Sequence, residues 1–537
     1  MHGQKKTDKS EAVKEKERKQ KEAKLKEYRD GMAQIATRRE AKLLDWDTMG
    51  VISDVLRVNP DVYTLWNLRK EIILLLLSDD SNNEEPVKLG ENELRLTESC
   101  LKINPKSYGA WHHRKWILEN CPGLDLKIEL ALCTKYLKLD SRNFHCWDYR
   151  RFVVSMLDLS PEEELSYTLV KIEEDFSNYS SWHYRSKLLP LIHGDPTGQK
   201  PIEEEIHLQE LDLVQNAAFT DPNDSSAWYY LRWLVGELQP KLDVILAFVS
   251  REDKKLFVGF NRNASLDRVR IECSAASRWR TVESFEDGSL WFADLNDVSM
   301  DELVVNVSLQ SHEKSISLTE KEGFFWQASP QFDPTISEKM KAVLEEQLDS
   351  CNQLLDLEPD TKWPLLTSVV FMKAIDSYAY RDDIMKRLES LKKCDRYRIN
   401  YYNDLMNKYL IEARLLNSPA DGSSSLANLN LESLHHSQYL SPAVDIDLSH
   451  NRLGKSLPKI VHAVSCKHLN LDSNCLKSLK NLPRLSKLES ISLADNEFDS
   501  LDDLLSDLDG FTSLSRLFFR SWCEVVLVSH VAFAFAM

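Results

Sequence analysis

The side chains of this chain that can do chemistry recur as a pair. Trp66 is followed three residues later by Arg69, Trp111 by Arg114, Trp147 by Arg150 and Trp182 by Arg185; a fifth copy has Trp228, with Leu231 in the arginine's place and Arg232 after it. Three residues along a helix is about one turn, so each guanidinium can donate to carbonyls or carboxylates of a neighbouring element. The indole brings more apolar area than any other side chain and suits the wedge between packed helices. This chemistry is cohesion, the mortar that any stack of repeats requires. Conventional reactive groups are sparse. The ten cysteines form no C-x-x-C pair, and no cluster of Cys, His and Asp has the spacing of metal ligands. Scattered thiols of this kind suit a reduced, cytosolic protein. Lys106, directly after Asn104 and Pro105, reads by itself as a turn lysine, and Tyr108 is open between packing and a polar contact.

The elements that must position these groups are helical hairpins. The five tryptophans are separated by 45, 36, 35 and 46 residues, a core unit of helix–turn–helix length with two insertions. Asp, Asn and Pro before each tryptophan supply turn and helix-start chemistry. Stretches such as ENELRLTESCLKI and DLKIELALCTKYLKL carry apolar residues at intervals of three and four. Helical repeats one to five are therefore expected over 31–240, after a charged segment, 1–30, that is either a solvated helix or a partner-binding arm. Across 241–332 the period changes to two in LFVGF, RVRIEC, SLWFADL and ELVVNVSL, which predicts an inserted, immunoglobulin-like β-sandwich. Helical text returns over 333–416, with a degenerate sixth repeat around Trp363.

A linker is expected over 417–441 and leucine-rich repeats over 442–520. Asn451, Asn474 and Asn496, spaced by 23 and 22 residues, should satisfy buried backbone at the turn after each strand while leucines fill the interior. Trp522 stands where a fourth asparagine is expected, and 521–537 reads as an atypical apolar tail, an alternative or artefactual terminus that exposes a hydrophobic patch. The fold class is mainly α: a solenoid of helical hairpins with an inserted β-sandwich and a C-terminal leucine-rich repeat domain.

Composition limits the partners. The 537 residues are 42% hydrophobic and 28% charged, as in folded soluble protein of several domains. A net charge of −17 supplies no positive field for a phosphate backbone, so nucleic acid is a poor guess. No run reaches the roughly 20 apolar residues of a membrane span, and the start lacks a secretory signal, which points to a cytoplasmic protein without stable membrane insertion.

Asn-Pro turns leading into Trp-x-x-Arg at this spacing resemble the α-subunit repeat of the protein prenyltransferases. Tetratricopeptide arrays share the length but spread their pattern over both helices. With its β-rich insertion and leucine-rich tail, the chain is most similar to the Rab geranylgeranyltransferase α subunits, and the resemblance runs from the charged start to about residue 515. It implies an α–α superhelix around a β subunit, which holds the catalytic zinc and the isoprenoid, with no cofactor in this chain itself. The implied reaction moves geranylgeranyl from geranylgeranyl diphosphate to C-terminal cysteines of Rab GTPases presented by a Rab escort protein, and the chain alone is expected to be inactive. Zinc would activate the thiol.

The resemblance assigns this chain an electrostatic share, a cation beside the departing diphosphate. It places Lys106 in that role, with Tyr108 as a catalytic companion in either packing or a diphosphate hydrogen bond. His145 is implied at the cleft, while Phe144 stands where related enzymes carry a tyrosine. Gly109 replaces a glutamine that reads a peptide's terminal carboxylate, consistent with reliance on an escort protein. His2, unremarkable by itself, is implied as an autoinhibitory ligand that reaches the partner's zinc. Two other readings remain: a non-enzymatic repeat scaffold, and the α subunit of another protein prenyltransferase, which Gly109 and both extra domains disfavour.

Overall fold

The computed structural model describes residues 11–78, 86–196, 202–236, 242–283, 285–296, 301–309, 312–334, 336–417, 423–519, 525–529 and 532–534. The chain divides into two compact units, Met1–Ile192 and His193–Met537.

The described part of the first unit is helical: α1 (Glu11–Glu40), α2 (Trp46–Val58), α3 (Tyr63–Ser78), α4 (Pro86–Ile103), α5 (Tyr108–Asn120), α6 (Leu126–Leu139), α7 (Phe144–Leu157), α8 (Pro161–Glu174) and α9 (Tyr179–Ile192). Short polar side chains start them. Asp45, Ser107, Asp125 and Asn143 each accept a backbone N–H in the first turn of the following helix. Helices pair as α2–α3, α4–α5, α6–α7 and α8–α9, and α5 packs on α3 and α7.

Two sets of hydrogen bonds tie each hairpin to the next. Each indole N–H reaches back six residues to a loop carbonyl: Trp66 to Pro60 at 2.8 Å, Trp111 to Pro105 at 2.9 Å, Trp147 to Ser141 at 2.8 Å and Trp182 to Phe176 at 2.8 Å. The first three carbonyls accept a second bond from the following repeat, from Ser107 (3.1 Å), Asn143 (2.9 Å) and Asn178 (2.8 Å). The turn geometry and the tryptophan are thus one device, in which a loop carbonyl serves its own indole and the following repeat.

The arginines make the second set. Arg69 grips Glu93 of the next hairpin with two bonds, at 2.5 and 2.6 Å, and donates to the Met49 carbonyl and Ser53 of its own hairpin. Arg114 repeats this with Glu129 (2.6 and 2.7 Å), the Leu94 carbonyl and Thr97, and Arg150 does so with Glu164 (2.9 and 2.5 Å) and Thr134. Arg185 holds the Leu165 carbonyl and Thr168. Each glutamate also takes a bond from its own hairpin, Glu93 from His113 at 2.9 Å and Glu129 from Tyr149 at 2.7 Å.

These pairs are buried, and a buried ion pair tolerates desolvation only when its geometry and remaining hydrogen bonds are complete. Burial pushes the Glu93 carboxyl upward, but the His113 hydrogen bond and the Arg69 charge outweigh it and hold its pKa at about 2. Burial lowers the His113 pKa, so the ring stays neutral between one cation and one anion.

In the second unit α10 (Glu204–Thr220) and α11 (Ser225–Gly236) precede eight strands: β1 (Val244–Ser250), β2 (Lys255–Ser265), β3 (Val269–Glu272), β4 (Ala276–Thr281), β5 (Asp287–Leu295), β6 (Glu302–Leu309), β7 (Glu313–Thr319) and β8 (Phe325–Gln327). They form two antiparallel sheets, ordered β4-β5-β2-β1-β8 and β3-β6-β7, around one core that includes Val258, Phe260, Trp291, Val305 and Leu318. Helices resume with α12 (Glu338–Leu357), α13 (Lys362–Asp376), α14 (Arg381–Cys394) and α15 (Ile399–Leu416). Since α11 packs on α13, and Tyr229 meets Trp363 edge-on at 5.0 Å, this hairpin stacks on the one preceding the β insertion.

The remaining strands are β9 (Ser423–Ser425), β10 (Asp445–Asp447), β11 (His468–Asn470), β12 (Ser490–Ser492) and, after α16 (Leu501–Asp507), β13 (Arg516–Phe518). These five run parallel as a ladder, which β14 (Val525–Ser529) and β15 (Ala532–Ala534) extend antiparallel. Asn451, Asn474 and Asn496 each donate to three backbone carbonyls at the turns, as their spacing led us to expect.

The linker expected over 417–441 is corrected for 423–440. This stretch is the ladder's first coil, with Leu426, Leu431, Leu434 and Leu440 in the same core. Leu429 stands two residues before Leu431, as Asn451 does before Leu453, so the coil lacks the asparagine that marks the other copies.

Removing Glu129 leaves Arg114 buried and unpaired, so Glu129→Ala should destabilise the first unit by about 3–5 kcal/mol, read from chemical denaturation followed by tryptophan fluorescence. Glu93 and His113 both have folded pKa values below their unfolded ones, so both bind fewer protons when folded. Stability should therefore decline with acid, first as pH falls through 6.5 for His113 and then from 4.5 towards about 2 for Glu93. A thermal midpoint unmoved from pH 7 to pH 3 would contradict this.

Candidate functional site

Lys106 sits in the turn between α4 and α5, held by its backbone N–H on Asn104 Oδ1 at 3.1 Å. The next residue, Ser107, caps α5, so the lysine is fixed at its root while its tip is half-exposed. Its side chain is 58% exposed, and the ammonium lies 3.4 Å from Asp140 Oδ2 of the next turn. An exposed pair at this distance is weak and can open to another anion.

Tyr108 is the first residue of α5 and is 70% exposed. Its ring stands edge-on to His145 at 4.2 Å and lies 6.2 Å from Phe144. The structure thus brings Lys106, Tyr108, Phe144 and His145 together on two successive turns. His145 is only 7% exposed. Burial lowers its pKa, with Asp148 pulling it up and Lys106 pushing it down, so it is a neutral ring beneath the tyrosine.

Gly109 has a packing cause. A Cβ there would stand 2.6 Å from Trp66 Cδ1 and 2.7 Å from its Nε1, inside the space of the indole that bonds Pro60. The glycine read in the sequence as a missing peptide contact is therefore also required by the neighbouring repeat.

The surroundings of Lys106 are apolar and open. Tyr63, Tyr108, Phe144 and Tyr179 are the first residues of α3, α5, α7 and α9, and all four are exposed. Ile103 and Leu139, the last residues of α4 and α6, are exposed as well. Repetition of this position in four hairpins makes an aromatic edge, far more than scattered surface hydrophobes.

The signature tryptophans and arginines lie in the interior. Trp66, Trp111, Trp147, Trp182 and Trp228 are buried, as are Arg69, Arg114, Arg150 and Arg185. Trp228 differs in that its indole nitrogen has no hydrogen-bond partner among the described residues. The acidic partners of Arg69, Arg114 and Arg150 went unread in the sequence, although a signal exists: Glu93, Glu129 and Glu164 each stand eighteen residues ahead of a signature tryptophan. Asp140 was likewise missed, and only the turn-to-turn packing reveals it.

His2 lies outside the described residues. Among the described residues no group of three or more His, Cys, Asp or Glu can hold a metal ion, and the described cysteines are free. No described helix is long and apolar enough to cross a membrane.

Comparison with known proteins gives the family of the chain. The signature described as "Protein prenyltransferase alpha subunit repeat" matches residues 91–121, 126–157, 161–192 and 207–238. The Geranylgeranyl transferase type-2 subunit alpha of Rattus norvegicus is 38% identical over 520 residues, covering 92% of this chain and 91% of that protein. The Homo sapiens subunit is 37% identical over 525 residues, with the same shares, and that of Schizosaccharomyces pombe is 33% identical over 288 residues, 52% of this chain and 83% of its own. A chain of a solved Candida albicans protein geranylgeranyltransferase-I complexed with GGPP has a TM-score of 0.41 and 17% identity over 72% of this chain and 91% of that one, too distant to carry an argument. The chain belongs to the protein prenyltransferase α subunits and, within them, to the family of geranylgeranyl transferase type-2 α subunits.

Gly109→Gln should disorder the Trp66 wedge and cost about 1–3 kcal/mol of stability through overpacking. A thermal midpoint equal to that of the unaltered chain would show that the wedge yields without cost.

Proposed function

We propose that this chain is the α subunit of a heterodimeric Rab geranylgeranyltransferase, which moves geranylgeranyl from its diphosphate to C-terminal cysteines of Rab GTPases presented by an escort protein in the cytoplasm. The observation that carries the reading is Lys106, an exposed cation set in a repeated aromatic edge. The aromatic edge suits burial against a β subunit, and the lysine then faces the partner's active site. The zinc is the β subunit's, and His2 is assigned the role of restraining it.

Departure of diphosphate builds negative charge on its bridging and terminal oxygens. A cation held beside those oxygens is worth more in the transition state than in the ground state, which is the condition for accelerating the step. Lys106 exchanges Asp140 for the diphosphate, and Tyr108 offers its phenol from the adjacent position. Chemistry at the thiol is the zinc's, which lowers the cysteine pKa when bound.

Under this proposal 31–240 and 333–416 are the prenyltransferase helical repeats. The two packed sheets of 241–332 are an immunoglobulin-like sandwich, and 442–520 with its preceding coil forms a leucine-rich repeat domain. The shared core of the sheets and the asparagine bonds of the ladder support those names.

Prenyl transfer to a Rab protein with its escort is expected only when this chain and a β subunit are both present. Turnover by either alone would remove the subunit reading. In the complex, Lys106→Ala should reduce kcat by roughly ten- to a thousand-fold with the complex intact, and an unchanged kcat would remove the lysine's role. Asp140→Asn frees the lysine and should leave kcat equal or higher.

A further inference from the structure

The aromatic edge continues down the helices that begin on it. On α3, Tyr63, Asn67, Lys70 and Leu74 recur at helical spacing, and none of the four is buried. On α5, Tyr108, His112, Lys115 and Glu119 form the next stripe in the same way. Lys70, Lys115 and Arg151 each stand four residues after a signature tryptophan. Each lies over a ring of the following hairpin: Lys70 over Trp116 at 5.4 Å, Lys115 over Phe152 at 4.6 Å and Arg151 over Tyr184 at 5.8 Å.

Lys70 differs from the other two in having no acid of its own. Lys115 pairs with Glu119 of its own helix at 3.8 Å, and Arg151 pairs with Asp148. Among the described residues no carboxylate lies within ion-pair distance of Lys70, and Glu119, the acid whose field it feels, is taken by Lys115. The Lys70 ammonium instead donates to His112 Nδ1 at 3.1 Å. An imidazole accepts such a bond only while neutral. Burial lowers the His112 pKa, and the Lys70 charge lowers it further against the pull of Glu119, so the ring is kept in that form. The Trp116 face attracts the cation through its quadrupole. Neither neighbour carries negative charge. Lys70 is half-buried, and burial pushes its pKa down. A cation partly removed from water without a counter-ion carries a desolvation cost that an opposite charge relieves.

We infer that Lys70 is the docking point for a carboxylate of the β subunit, which closes over the stripes of α3 and α5 and supplies the charge this chain leaves uncompensated. The inference rests on the subunit reading above, since these stripes extend the edge that the β subunit buries. An Asp or Glu of the partner accepts from the ammonium, which His112 and Trp116 already hold in place. Once covered, the pair is shielded from solvent and salt, so it fixes the orientation of the two subunits.

The test uses the heterodimer of this chain with a β subunit. Zero-length coupling with a carbodiimide joins an amine to a carboxylate in direct contact, and peptide mass spectrometry should find Lys70 linked to an Asp or Glu of the β subunit. Exchange of the heterodimer against excess fluorescently labelled chain reads dissociation. Lys70→Met, which keeps a stem over Trp116, and Lys70→Glu should both speed exchange by roughly tenfold or more. Lys135→Glu, at an exposed lysine of α6 outside these stripes, should leave it unchanged. An intact heterodimer in which Lys70 forms no link to the β subunit, or whose exchange is the same in both Lys70 variants as in the unaltered chain, would overturn the inference and leave the subunit reading standing. Failure of the unaltered chain and the β subunit to form any complex would remove the subunit reading itself, and the inference with it.

Discussion

The first unit depends on one buried interaction repeated from hairpin to hairpin: a guanidinium held on two bonds by a glutamate of the next repeat. Arg114 and Glu129 show what it requires. Both side chains are 2% exposed, and the pair is stable only because Thr97, the Leu94 carbonyl and Tyr149 use the remaining donors and acceptors. The pair carries register as well as energy. A glutamate one turn out of place would leave an arginine desolvated and unpaired, so neighbouring hairpins can stack in only one way.

That constraint decides what is left at the surface. With tryptophan, arginine and glutamate pointing inward, the first residue of each signature helix points out, and in four successive repeats it is aromatic. Lys106 lies on this edge because its turn is tied down by Asn104 and Ser107 while its side chain has only a weak exposed partner. The same turn that caps a helix and receives an indole also presents the cation. Structural and functional demands meet there on adjacent residues.

In the second unit the two β modules are joined by a shared sheet. On β2, Leu256, Val258 and Phe260 enter the core between the two antiparallel sheets, while Phe257 enters the core of the parallel ladder. Ion pairs complete the junction, His462 with Glu283 and Lys487 with Asp253.

Local physics was legible in the sequence. Helix period, turn residues and the spacing of tryptophans and asparagines determined the hairpins, the β insertion and the coils, because each depends on side chains close in the chain. The LFVGF segment shows where that ends: its pattern signals a strand, but not that Leu256 and Val258 enter one core and Phe257 another. Likewise Leu429 hid the first ladder coil, Asp140 is tied to Lys106 only by turn packing, and Gly109 is demanded by Trp66 from a different hairpin. The sequence by itself determined the repeat, its period and its inward-facing residues. The tertiary structure alone decided which arginine meets which glutamate, which lysine stays exposed and where two cores share a sheet, since those depend on contacts between residues far apart in the chain.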